Sequence, residues 1–209
     1  MGRARRRLPA AGRPGAVSES YGALFAVRCA QSVRAEWDLL QGQPAAARAR
    51  LTPQLRGPTL EEWGLNLVAP IPAWAHLEAG YVAEATAVLA QAMATAQSRA
   101  DRLTLVDLLR VQAMVATRQR CWAEAEQALE EGLSLACSMP HPYSEARLLH
   151  IYGEMHVHKG EMGPARERLE AALAIFRRLG ARKDASGASR PSPSCSPTTE
   201  DGGCRLFPA

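Results

Sequence analysis

The sequence predicts an all-α fold, a stack of about four tandem antiparallel helical hairpins with a period of about 40 residues. Three observations predict it. A ten-residue motif recurs four times at nearly constant spacing. Aromatic residues make up only 5% of the 209 residues, Ala and Leu are abundant, and Asn66 is the single asparagine. That composition suits many small helices better than a sheet of Val, Ile, Tyr and Phe. Turn and cap residues also fall where the helices should begin and end.

The motif aligns Gly42 to Leu51, Gly80 to Leu89, Arg120 to Leu129 and Gly160 to Leu169, whose starts are 38, 40 and 40 residues apart. Each copy opens on a turn residue, with Ala at the sixth place (Ala47, Ala85, Ala125, Ala165) and Leu at the tenth (Leu51, Leu89, Leu129, Leu169). That i,i+4 spacing marks one helix face. Three residues further on, Ala92, Gly132 and Ala172 are small again, with Gln54 the exception. Seven residues before each turn stand Ala35, Ala73, Ala113 and Gly153. Small side chains at facing positions let two antiparallel helix backbones approach closely, and the leucine fills the space beside the contact. One hairpin cannot bury its own apolar stripe, so hairpins must stack.

First helices are expected at Tyr21–Gln41, Leu60–Ala79, Arg102–Gln119 and Tyr143–Lys159. Second helices are expected at Pro44–Leu55, Val82–Ser98, Trp122–Cys137 and Pro164–Leu179. Thr59 and Glu62 have the spacing of a capping box. Pro44 and Pro164 fall in a first turn, where proline is tolerated. Arg177 and Arg178 precede Gly180, the charge and cap that a helix C-terminus favours. Pro70 and Pro72 fall inside an expected helix and predict a kink. Met139 to Pro142 reads as a rigid connector. Trp122, His76 and His156 fall at positions that pack between helices, and are expected in the core.

The ends read differently. Residues 1–17 form a basic arm and 182–209 a Ser- and Pro-rich tail, both expected to be disordered because they hold too little apolar surface to offset their ordering entropy. Residues 18–181 form the helical domain. No amphipathic capping helix follows the last hairpin, which predicts that the chain derives from a longer protein. The formal charge of +4 is unevenly placed. Residues 1–18 hold five arginines and no acid, and residues 186–209 balance two against two. The body keeps 18 positive and 19 negative side chains. A nearly neutral body argues against a nucleic-acid groove. The arm by itself predicts at most an accessory contact with nucleic acid or an anionic surface.

At these residues the sequence resembles the tetratricopeptide repeats (TPR). The resemblance covers residues 21–181 and is most complete in Gly153, Gly160, Ala165, Leu169 and Ala172. The period exceeds the usual 34 and is similar to that of the long repeats in bacterial signalling ATPases and MalT-like transcription activators. The resemblance implies a right-handed superhelix and a non-catalytic, regulatory or scaffolding role in protein binding. It also implies a concave groove that takes an extended segment of another protein, an acidic segment among the candidates. Groove positions are Trp74, Leu77 and Glu78 in the second copy, Asp107, Arg110, Met114, Thr117 and Arg118 in the third, and Arg147, His150, Glu154 and His158 in the fourth.

Catalytic signatures are missing. Lys159 and Lys183 are the only lysines and neither lies in a phosphate-binding loop, nor is there a G-x-G-x-x-G, H-E-x-x-H or G-x-S-x-G pattern. No cofactor and no enzyme activity are expected. His150, Glu154 and His158 lie i, i+4, i+8 on one helix face, a spacing that metal sites use, but no fourth ligand is close in sequence and the stripe reads as a solvated face. Five cysteines without C-x-x-C spacing predict reduced thiols. No stretch approaches the ~18 apolar residues of a membrane span, and the N-terminus lacks the apolar core of a secretory signal. The sequence therefore predicts a cytoplasmic protein.

Overall fold

The structure is a computed structural model, and it describes residues 14–52 and 70–188. Among the described residues there are nine helices and no strand: α1 Pro14–Leu40, α2 Pro44–Leu51, α3 Pro70–Glu78, α4 Val82–Ser98, α5 Arg102–Arg118, α6 Trp122–Ser138, α7 Pro142–Lys159, α8 Met162–Leu179 and α9 Arg182–Ala188. The chain is all-helical over this range. From α3 to α8 the helix limits agree with the sequence expectation to within two residues wherever both ends are described.

Local chemistry explains the limits. Asp101 caps α5 by accepting from the backbone N–H of Thr104 at 3.1 Å and from its hydroxyl at 2.8 Å. Pro44 and Pro142 sit in the first turns of α2 and α7, where no backbone donor is lost. Helix α7 ends on left-handed Gly160, φ 86°, and the next N–H, from Glu161, returns to the His156 carbonyl at 2.9 Å. This closure satisfies carbonyls that the helix end would otherwise orphan. The same backbone bond recurs from Gln43 to Asp38, Tyr81 to His76, Asp101 to Ala96, Cys121 to Ala116 and Ala181 to Phe176.

The small positions lie where the repeat requires them. Ala35, Ala73 and Ala113 are buried in the first helices and Ala47, Ala85, Ala125 and Ala165 in the second. Gly153 is the extreme case: a Cβ there would meet Leu169 Cγ at 2.5 Å. The apolar core runs through three clusters, one from α1 to α5, one from α5 to α7 and one joining α7, α8 and α9. Met93 and Met114 bridge the first two clusters, and Leu133 bridges the last two. Flexible side chains at these joints fill the irregular gaps between hairpins. Trp122 packs against the second cluster, as expected.

Several expectations are corrected or fall outside the described range. Helix α1 begins at Pro14, inside the expected arm, and α9 occupies the first seven residues of the expected tail. Residues 1–13 and 189–209 lie outside the described residues, as do the Thr59–Glu62 capping box and most of the helix expected from Leu60. Pro70 and Pro72 lie in α3 at the edge of the described range, so the kink expected there falls outside the described residues. Cys29 and Cys137 are free thiols. Cys121, however, is disulfide-bonded, contrary to the expectation of five reduced thiols.

Candidate functional site

Successive odd-numbered helices touch: α1 with α3, α3 with α5, α5 with α7. Positions equivalent in the repeat therefore line up as rows across one face. Asp107 and Arg147 each stand six residues before the small residue of their copy, and they meet at 3.7 Å. Glu78 and Arg118 each stand five residues after it, and they meet at 3.9 Å. His158 holds the same place in the fourth copy.

Trp74 of α3 is the floor of the site. The Arg110 guanidinium carbon lies 4.7 Å from its ring centroid and that of Arg147 5.3 Å, within cation–π range. The three side chains come from three different hairpins and are only 8%, 3% and 9% exposed for Trp74, Arg110 and Arg147. Arg147 also lies 5.5 Å from the Tyr143 ring centroid. Two carboxylates enter the cluster. Asp107 Oδ1 is 3.3 Å from Arg110 Nε, and Glu36 Oε1 of α1 is 2.9 Å from an Arg147 terminal nitrogen. Another terminal nitrogen, on Arg110, contacts Met114 Sδ at 3.4 Å.

Burial sets the electrostatics. For Arg110, burial and then the neighbouring Arg147 charge press the guanidinium down to about 10, against the pull of Asp107 and Glu36. For Arg147 the burial cost is outweighed by Asp107 and Glu36, and its charged form is favoured. Asp107 is held low because Arg147 and Arg110 outweigh the burial that would raise it. Both arginines thus remain cationic near neutrality.

The far end of the row set has the opposite character. His150 Nε2 lies 3.5 Å from Glu154 Oε1. Burial pushes the Glu154 carboxyl up to about 7, with the Glu78 charge adding to the effect. Burial likewise pushes the His150 imidazole down to about 4. The His150 ring stands edge-on to Phe176, centroids 6.4 Å apart, which explains its dry setting. His158 is lowered by burial and by Arg118 and Arg120. Among the described residues no group of three or more His, Cys, Asp or Glu is arranged to hold a metal ion. Nor is any described helix long and apolar enough to cross a membrane.

Two expectations change at this point. The stripe read as a solvated face is largely buried at His150 and Glu154, whose side chains are 19% and 25% exposed, and Arg110 and Arg147 are buried and already engaged. Leu77 is fully buried in the core rather than placed on the groove. His156 is buried as expected, yet its Nδ1 pairs with Glu161 Oε2 at 2.7 Å.

Sequence reasoning missed Glu36, Tyr143 and Asp184. Glu36 was findable, because it follows Ala35 as Trp74, Met114 and Glu154 follow their own small residues. Asp184 was not. Its carboxylate reaches the Tyr143 hydroxyl at 3.4 Å only because α9 folds back over α8. Beside it, Lys183 reaches across to α1, with Nζ 3.1 Å from Gln41 Oε1 and 5.6 Å from the Trp37 ring centroid.

No protein-family model matches the chain, and no match to a curated protein was found.

Proposed function

We propose that this chain is a non-catalytic protein-interaction module, a cytoplasmic TPR-like right-handed superhelix that binds a segment of another protein along the face built by α1, α3, α5 and α7. The observation that carries the reading is the row arrangement. Equivalent side chains from successive hairpins stand beside one another, Asp107 with Arg147 and Glu78 with Arg118. A ladder with a regular step suits an extended main chain, whose own side chains repeat at a regular step. The chemistry of the rows supports the same reading, since they offer an indole, guanidiniums and carboxylates but no nucleophile with an adjacent base. A regulatory role in a signalling or transcription system follows from the sequence resemblance alone.

The test selects peptides from a displayed library against the full chain, then maps each binder by amide exchange. Binders that protect α3, α5 and α7 support the reading. Binders that protect only α4, α6 and α8 would place the functional surface on the opposite side.

A further inference from the structure

The cluster over Trp74 is rich in donors and poor in acceptors. Two guanidiniums over the indole face bring about ten N–H groups into one buried place. Against them stand a shared Asp107 oxygen at 3.3 and 3.7 Å, one Glu36 oxygen at 2.9 Å, and the thioether of Met114. Trp74 Nε1 is buried and has no hydrogen-bond partner. Buried donors without acceptors are costly, and native proteins rarely keep them without a reason. Arg110 compounds the cost, being almost wholly buried with a weak carboxylate contact and a second cation beside it. Such a place is suited to one more carboxylate.

Glu36 differs from Asp107 in how it reaches the cluster. Asp107 sits on α5, one turn from Arg110, and is part of the same wall. Glu36 comes from α1, pairs across the face with α7, and meets Arg147 alone, whereas Asp107 meets both arginines. Its side chain reaches solvent, 28% exposed beside the 30% of Asp107, so what distinguishes it is its single contact and its place on another helix. A carboxylate held from the side by a solvent-reaching glutamate is replaceable by an equivalent group.

We propose, resting on the interaction reading above, that Trp74, Arg110 and Arg147 form a carboxylate-binding site which the chain's own Glu36 fills, and that an acidic group of the partner binds by displacing Glu36. The planar fork of Arg147 accepts either carboxylate in the same way. Trp74 fixes both guanidiniums from below, so the site keeps its shape while Glu36 swings out. Self-occupation weakens binding of isolated acidic groups and reserves the site for a segment that also engages neighbouring rows.

Calorimetric titration of the full chain tests this with two probes. N-acetyl-triglutamate amide presents side-chain carboxylates only, and N-acetyl-trialanine a terminal carboxylate only. At least one should bind at millimolar concentration, and the tighter of the two identifies the source of the group. Glu36→Gln removes the competing charge and should tighten binding about tenfold. Glu36→Asp, which keeps the charge but shortens its reach, should tighten it as well. Glu167→Gln on exposed α8 controls for net charge and should leave affinity unchanged, and circular dichroism reports helicity throughout. The proposal is overturned if neither probe binds the folded Glu36 variants, or if Glu167→Gln tightens binding as much as Glu36→Gln. Library peptides that occupy the odd-helix face without an acidic residue, and bind the parent and Glu36→Gln alike, overturn the carboxylate site and leave the interaction reading standing. A library that yields nothing on that face removes both.

Discussion

Gly153 of α7 and Leu169 of α8 touch so closely that a Cβ on the glycine would lie 2.5 Å from Leu169 Cγ, 2.8 Å from its Cδ2 and 3.2 Å from the Ala165 carbonyl oxygen. Glycine inside a helix costs about 0.5–1 kcal/mol relative to alanine. Here the contact outweighs that gain, because the atom struck is a branch point backed by main chain and cannot swing aside. Gly153→Ala should therefore destabilise by about 1–3 kcal/mol. At Gly132 the atoms struck are the terminal methyls of Leu148, at 2.9 and 3.2 Å, and Gly132→Ala should cost less. Urea unfolding of both variants checks the order, and a stabilised Gly153→Ala protein would refute the close-contact argument.

The turns differ in what their backbone tolerates. Gly42, Gly80 and Gly160 carry positive φ with open space around the missing Cβ, while Arg120 does the same work at φ 61° with a full side chain. Left-handed backbone costs a non-glycine residue about 1 kcal/mol or somewhat more. Arg120→Gly should stabilise by about 0.5–1 kcal/mol and Gly160→Ala should destabilise by a similar amount. Thermal melts showing the opposite signs would mean that the side chain of Arg120 contributes more than its backbone costs.

Stability should respond to pH in opposite senses through two neighbours. Glu154 is raised from 4.5 to about 7 by burial, so in that window the folded chain holds a proton that the unfolded chain releases. Its contribution is full below about 4.5 and is lost as pH rises through 7. His150 is lowered from 6.5 to about 4 by burial, so its contribution is full above 6.5 and is lost as pH falls towards 4. Glu154→Gln should gain stability over the parent at pH 8 and little at pH 4.5. His150→Gln should flatten the acid limb instead. Denaturation midpoints across this range decide, and a Glu154→Gln curve parallel to the parent would show that the carboxyl is not strained by burial.

Charge reversal at the cluster should be a folding lesion. Arg147→Glu brings a third carboxylate beside Glu36 and Asp107 in a place where removing one buried ionic partner already costs about 3–5 kcal/mol. Loss of helicity at room temperature, or a large fall in melting temperature, is expected. The milder cycle of Glu36→Gln, Arg147→Gln and the double variant should return a coupling of about 1–3 kcal/mol. A coupling near zero would mean that the 2.9 Å pair contributes nothing to the fold.

Much of the architecture was legible because its causes are local. Ala125 and Leu129 mark one helix face by spacing alone, Pro44 and Gly180 mark helix ends by their chemistry, and the recurrence of small residues fixes which helices press together. Trp74, Arg110 and Arg147 were named through the family resemblance, and the structure brings them to one place. Their surroundings were not. Helical spacing tells which side of a helix a residue takes, but not how deep that side lies once several hairpins have stacked.

The sequence by itself determined the helices, their pairing into hairpins and the rows of equivalent positions, since each depends on residues within a few turns of one another. Only the tertiary structure decided that α1 reaches α7 through Glu36 and Arg147, that α9 folds back so that Asp184 meets Tyr143, and that burial moves Glu154 and His150 in opposite directions. Those outcomes depend on how the hairpins stack on one another and on the water that stacking excludes, and no pattern confined to one hairpin encodes either.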